Sequence, residues 1–253
     1  MIIGLVQYSP VWEDKEANKQ KLNSLLQNID NDIDLLIFPE MTLTGFTMRS
    51  EKFAEAIEGE SFNYFSSLAK KLNCSVIAGI IVNQSGKYFN TLIHIEDNGK
   101  IKNHYYKIHP FSFSNEDKHY SAGNKPIVTK INGWKTGLSI CYDLRFPELY
   151  RQYGRNRAHL IINIANWPDT RIDHWRTLLK ARAIENQCYV VGVNRVGGTQ
   201  GLHYNGFSSI YDPMGKTVVS VENMERVIFA EIEMKLVNET RKKLPFLDDI
   251  SLT

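Results

Sequence analysis

Three residues in this 253-residue chain combine a reactive side chain with a setting suited to acyl chemistry. Cys141 ends the apolar run GLSI and is followed by YDLRFPELYR, so it stands where a buried strand gives way to a turn and then to a helix near Pro147. Such an elbow puts a thiol at the rim of a sheet and lets the backbone N–H of Tyr142 point at the oxygen of a bound carbonyl. Glu40, in LLIFPEM, follows a second apolar run and a proline that stops the strand. A poorly solvated carboxylate there can take a proton from a thiol and return it to a leaving amine. Lys107, in HYYKIHP, lies among aromatic residues just before Pro110. Its ammonium would favour a thiolate or donate to an oxyanion. Taken singly, each has a commoner fate as an inert core thiol, a loop glutamate or a snorkelling lysine. Yet all three follow apolar runs, and α/β architectures gather their sites at strand ends.

The elements that must position them alternate in period. Ile2 to Tyr8 and Asp34 to Phe38 read as strands around a helix marked by Leu22, Leu25, Leu26 and Ile29. Ser61 reads as the N-cap of a helix whose apolar face is Phe62, Phe65, Leu68 and Leu72, leading into CSVIAGIIV from Cys74. YFNTLIHIED followed by NGK, and PIVTKINGWKTGLSIC with its Asn132-Gly133 turn, are hairpin patterns. After Cys141 come a helix over Pro147 to Tyr153, the strand AHLIINIAN, the helix HWRTLLKARAIEN and the strand CYVVGVN. The end adds GFSSIYDP, VVSV, VIFAEIEM and a polar helix, MKLVNETRKKL. Mixed strands flanked by helices predict an α/β fold whose sheets are covered on their outer faces, an αββα layering in one domain over 1–253.

Thirty Lys and Arg against 28 Asp and Glu leave a formal charge of +2 with no long block of one sign. That balance points away from nucleic acid and membrane lipid and toward a small molecule as partner. No stretch approaches the roughly 18 apolar residues of a spanning helix, and the first residues lack the pattern of a signal peptide, so a cytoplasmic protein is expected. Cys74, Cys141 and Cys188 show no CxxC spacing, which argues against a disulfide framework and a zinc site. The seven histidines show no HxH or HExxH pattern, so His109, His119 and His174 read as structural or substrate-lining.

FPEMTLTGF around Glu40, YYKIHPF around Lys107 and GLSICYDLRFPELYR around Cys141, in that order, resemble the three signature blocks of the nitrilase (carbon-nitrogen hydrolase) superfamily. The likeness covers essentially the whole chain. It implies a four-layer αββα sandwich, with Cys141 as nucleophile, Glu40 as general base and acid, and Lys107 holding the oxyanion together with the Tyr142 N–H. No metal or organic cofactor is required by that chemistry. It also implies a role for Glu116, in NEDKHYSAGN, as a second glutamate that steadies Lys107 and orients the amide, with Asp117 as the neighbouring alternative. Members of the superfamily commonly pair through helices beside the nucleophile, so a homodimer through PELYRQYG and HWRTLLKARAIEN is expected.

NIANWPDTRIDHWRTLLKARAIENQ, with HYNGFSSIYDPMG later, resembles the branch that contains ω-amidases, which deamidate α-keto acid amides such as 2-oxoglutaramate. Such substrates carry a carboxylate away from the scissile amide. Arg171, just before a predicted helix, can meet that carboxylate bidentately, and Trp167 in the same block is assigned with it to substrate binding. The competing reading pairs Arg171 with Asp169 or Asp173 on a helix surface, and Arg145, Arg182 and Arg195 are rivals for the role. An amidase for an N-carbamoyl amino acid, a deaminated peptide or an aliphatic amide is the alternative within enzymes, and a nitrile substrate fits the ARAIEN and NWP blocks less well. A non-catalytic binding protein would have little reason to keep Cys141, Glu40 and Lys107 together.

Overall fold

The computed structural model describes residues 1–29 and 32–251. Within them the strands are β1 (Ile2–Gln7), β2 (Leu35–Ile37), β3 (Ser75–Gln84), β4 (Lys87–Ile95), β5 (Ile101–Tyr106), β6 (Val128–Ile131) and β7 (Trp134–Ile140), followed by β8 (Leu160–Ala165), β9 (Tyr189–Asn194), β10 (Val196–Thr199), β11 (Leu202–Tyr211), β12 (Thr217–Glu222) and β13 (Arg226–Glu231). The helices are α1 (Lys15–Leu25), α2 (Ser50–Phe53), α3 (Glu60–Leu72), α4 (Glu116–His119), α5 (Pro147–Arg155), α6 (Ile172–Asn186) and α7 (Met234–Lys243). One sheet runs β13-β1-β2-β3-β4-β5; the other runs β10-β11-β9-β8-β7-β6, with β12 paired to β11.

Strand alternation decides which layer each side chain joins. In β2, Leu35 and Ile37 face the second sheet, whereas Leu36 turns outward to pack with Leu22, Phe65 and Leu72 around α1 and α3. On the second sheet, Leu138, Ile140 and Ile162 join a core that also holds Tyr150 and Tyr153 of α5 and Leu179 and Ala183 of α6. Both faces of each central strand are therefore covered, which is why these strands read as continuous apolar runs rather than alternating ones. Burying one such Leu or Ile is worth about 1.5–3 kcal/mol, so the pattern specifies the αββα layering strongly. Among the described residues no helix is long and apolar enough to cross a membrane.

Two local expectations differ from the structure. The helix predicted from Ser61 begins at Glu60, with Gly59 at the N-cap; Ser61 lies in the first turn and donates its N–H to the Glu55 carboxylate at 2.8 Å. A side chain from outside the helix thus does the work of a capping hydroxyl. The hairpin β10-β11, turning at Gln200 and Gly201 with φ of +49° and +74°, has no counterpart in the predicted elements, whereas the Asn132-Gly133 turn, with φ of +46° and +82°, joins β6 to β7 as expected.

Candidate active site

Glu40, Lys107 and Cys141 follow β2, β5 and β7, two strands of one sheet and one of the other, so the site forms where the sheets face each other. Cys141 begins the turn after β7 with φ of +46°, a left-handed conformation that a residue with a Cβ adopts only when its surroundings impose it. Asp143 supplies the constraint. Its buried carboxylate accepts the Ile140 N–H at 2.9 Å, the Tyr105 hydroxyl at 2.7 Å and the His109 N–H at 3.0 Å, and lies 2.7 Å from the His109 ring. One carboxylate therefore ties the segment carrying Lys107 to the elbow carrying Cys141. His109 is structural in this arrangement, its ring stacked on Phe146 at 3.8 Å.

The turn that presents Glu40 is pressed against β3 at Gly79. A Cβ on that glycine would lie 2.5 Å from the Met41 nitrogen and 2.8 Å from the Glu40 Cα, so only glycine admits the approach. The Thr42 N–H donates to the Gly79 oxygen at 2.9 Å and locks the contact. The Glu40 side chain is held from both sheets: Oε1 accepts from the Asn90 amide at 2.7 Å and from Lys107 at 2.9 Å, and Oε2 accepts the Asn166 N–H at 2.9 Å.

Lys107 Nζ also lies 2.8 and 3.1 Å from the two oxygens of Glu116, and all three charged groups are buried. Glu116 accepts in addition from Asn90 at 2.8 Å and from the Phe111 N–H at 2.6 Å. Asp117, the alternative to Glu116, is exposed, as is His119. Burial alone would pull the Lys107 ammonium down, but Glu116 and Glu40 outweigh it and hold it well above the usual lysine value. Burial pushes Glu116 up against the pull of Lys107.

Cys141 behaves differently from the expectation that Lys107 would favour its thiolate. Burial pushes the thiol well above its ordinary value, Glu40 adds to the effect, and Lys107 only partly opposes it. Two carboxylates around one ammonium disfavour a third negative charge beside them, so Cys141 rests as the thiol. Among the described residues the sulfur has one polar contact, the Asn166 carbonyl at 4.0 Å.

The thiol opens into a cleft walled by Phe46, Phe111, Tyr142, Trp167, Tyr204 and two arginines, Arg145 and Arg171. Trp167 is fixed by donating its ring N–H to the Arg171 carbonyl at 2.8 Å. Arg145 stacks over Trp167 at 4.8 Å and its guanidinium reaches the exposed His174; Arg171 lies 5.6 Å from the Phe111 ring centroid. Neither has a carboxylate partner among the described residues, because Asp169 is taken by His203 at 2.9 Å and Asp173 lies toward Arg176. Arg182 is spent on the Leu144 carbonyl and Glu185, which removes it as a rival, and Arg195 is buried behind the cleft wall.

The carbon-nitrogen hydrolase family matches residues 2–242 of the chain. The chain belongs to the carbon-nitrogen hydrolase family. It is 34% identical over 250 residues to the ω-amidase YafV of Escherichia coli, covering 98% of this chain and 95% of that protein. Over 250 residues it is 31% identical to a 2-oxoglutaramate amidase of Bacillus subtilis, covering 98% and 96% of the two chains. A CN-hydrolase superfamily protein of Xanthomonas campestris superposes with a TM-score of 0.93 at 33% identity, covering 100% of this chain and 98% of that one.

This carbon-nitrogen hydrolase is accordingly an amidohydrolase acting on non-peptide C–N bonds. The predicted residues Glu40, Lys107 and Glu116 form one buried ion-pair cluster that bears electrostatically on Cys141, and Cys141 lines the cleft with Tyr142, Trp167 and Arg171. Sequence reasoning missed Asn90, Asn166, Asp143 and Tyr204. The first two are amides in or just after apolar strands, a signal that a buried polar partner lies opposite; Tyr204 rides on the unpredicted hairpin.

Proposed function

We propose that this carbon-nitrogen hydrolase is an ω-amidase, releasing ammonia from a small amide that carries a carboxylate at its far end, as 2-oxoglutaramate does. Cys141 attacks the amide carbon while its thiol proton passes to Glu40; the C–O π bond opens onto an oxyanion held by Lys107 and the Tyr142 N–H. The C–N bond then breaks, Glu40 returns the proton to nitrogen and ammonia leaves a thioester on Cys141. A water gives a proton to Glu40 and attacks the thioester, the C–S bond breaks, and the acid is released as the sulfur regains its proton. Glu116 steadies Lys107 and accepts from the amide nitrogen. The thiol raised by burial fits this order, since the nucleophile is made only when a substrate carbonyl and a base are both present.

The observation that carries the substrate reading is the pair of arginines, Arg145 and Arg171, on a cleft that opens over the thiol and offers them no carboxylate of the described chain. Arg171 was the expected anchor, and Arg145, four residues after the nucleophile, is its rival within the same cleft. Two cations left unpaired on an apolar wall favour an anionic ligand. Relatives named for ω-amidase and 2-oxoglutaramate amidase activity support the same reading.

Ammonia release from 2-oxoglutaramate, glutaramate, pentanamide and an N-carbamoyl amino acid tests it. The ω-amidase reading requires the two carboxylate-bearing amides to be preferred, and preference for pentanamide or the carbamoyl compound would overturn it. Arg171→Ala and Arg145→Ala locate the anchor: the one that holds the carboxylate loses roughly 2–5 kcal/mol of transition-state binding with 2-oxoglutaramate and far less with pentanamide. Equal losses on both substrates would assign that arginine to folding. The protein is further proposed to be a cytoplasmic homodimer joined through α5 and α6, where Ile184 of α6 is exposed beside the exposed Phe246 of the C-terminal segment, with no nucleic-acid or membrane partner. Sedimentation of the purified chain tests the dimer, and a monomer at micromolar concentration would overturn it.

A further inference from the structure

We propose that Tyr204 is a specificity-determining residue whose hydroxyl donates to an oxo group lying between the scissile amide and the distal carboxylate, and that Arg195 is the residue that positions it. The proposal rests on the ω-amidase reading and names the part of the substrate that this wall of the cleft reads.

Tyr204 stands on β11 and lines the cleft with Cys141, Trp167 and Arg171. Its ring is buried, yet its hydroxyl has no hydrogen-bond partner among the described residues, unlike the buried hydroxyls of Tyr105, Tyr120 and Tyr150. A phenol left unpartnered on a cleft wall is a donor held ready for a ligand. Burial pushes this hydroxyl up to about 12, with Arg195 pulling against it, so it stays protonated and able to donate across the neutral range. Cys141, Glu40 and Arg171 all bear electrostatically on Tyr204. Tyr204 shares one cleft with Cys141 and with Arg171, so the oxo group of a keto-acid amide bound there can reach its hydroxyl.

Arg195 lies directly behind. It is wholly buried, its guanidinium is 4.4 Å from the Tyr204 ring centroid, and of its nitrogens only Nε has a partner, the Val196 carbonyl at 3.2 Å. Nη1 and Nη2 have none among the described residues. A desolvated guanidinium kept without a carboxylate needs another source of stabilisation, and the face of Tyr204 supplies it. The same cation is wedged against Gly45, whose Cβ position is 3.5 Å from Nη1, beside the cleft residue Phe46. Arg195 thus braces Tyr204, from the second sheet, against the Gly45–Phe46 turn that follows β2 in the first, and acts on the substrate only through Tyr204.

The test compares kcat and KM for 2-oxoglutaramate and for glutaramate, which has a methylene where the first has the oxo carbon. In Tyr204→Phe the preference for 2-oxoglutaramate should fall about tenfold, the scale of one lost hydrogen bond, with the change mainly in KM. Arg195→Met should reduce the same ratio, Arg195→Lys should recover part of it, and the double variant should lose little more than Tyr204→Phe alone. An unchanged ratio in Tyr204→Phe, or equal losses on both amides, overturns this proposal while leaving the ω-amidase reading in place. Failure of the wild-type enzyme to hydrolyse either amide overturns both. Should Arg195→Met not fold, Tyr204→Phe and Arg195→Lys still decide.

Discussion

Asn166 and Glu40 are joined across the two sheets: the Asn166 main-chain N–H donates to Glu40 Oε2 at 2.9 Å and its side-chain amide donates to the Glu40 main-chain oxygen at 2.7 Å. The carboxylate proposed as base is thereby fixed by an element of the opposite sheet, the one that also carries Cys141. Asn166→Ala should leave a buried carbonyl unsatisfied and loosen Glu40, destabilising the protein by about 1–3 kcal/mol and lowering kcat more than it raises KM. Urea unfolding and steady-state kinetics check the two effects, and unchanged kcat would show that the inter-sheet bond does not matter to the base.

Gly79→Ala places a methyl where the Glu40–Met41 backbone now lies. The turn must shift, so kcat should fall by on the order of 100-fold although no side chain of the site has changed, in keeping with the cost of misplacing a reacting group by about 1 Å. Kinetics together with a structure of the variant checks this; a variant with native kcat would mean the turn has slack that the contact distances deny.

Lys107→Met removes the cation that pairs with two buried carboxylates. Uncompensated buried charge should cost about 3–5 kcal/mol of stability as well as activity, and adding Glu116→Gln should restore part of the stability but none of the activity. Chemical denaturation of the two variants checks the expectation, which fails if Lys107→Met is as stable as the wild type.

His94 faces Thr129 between the sheets, 2.8 Å from its hydroxyl, and burial pulls the imidazole down to about 4. As pH falls, the unfolded chain, with its histidine near 6.5, binds this proton before the folded one does. Stability present above about pH 6.5 should therefore be lost between there and about pH 4, by up to about 3 kcal/mol from this group. His94→Leu should flatten that part of the melting-temperature profile; an unchanged slope would assign the acid sensitivity to other groups.

The candidate centre was legible because its residues sit at punctuation. Glu40 follows Pro39, Lys107 precedes Pro110, and Cys141 separates an apolar run from Pro147, so the sequence places each at a strand end. Glu116 was visible only through the family resemblance, since a lone acid in NEDKHYSAGN carries no local sign of burial. What stayed hidden depends on the approach of the two sheets. Asn90 and Asn166 gain their meaning from a carboxylate far away in sequence, and Gly79 from a turn that strand periodicity does not reveal. Arg195 and Tyr204 face each other only once β10 and β11 fold into a hairpin, and Gln200-Gly201 is a weaker turn signal than Asn132-Gly133. Ser61 lost the capping role because Glu55, six residues earlier, reaches it first.

Ammonia release by Cys141→Ala tests the covalent mechanism most directly. Cys74 and Cys188 are buried in the two core clusters, whereas Cys141 opens into the cleft. Cys141→Ala should fold with near-native stability and lose turnover of 2-oxoglutaramate by on the order of 10⁴-fold or more, while Cys74→Ala and Cys188→Ala stay active. Near-native turnover by a folded Cys141→Ala enzyme would contradict that mechanism.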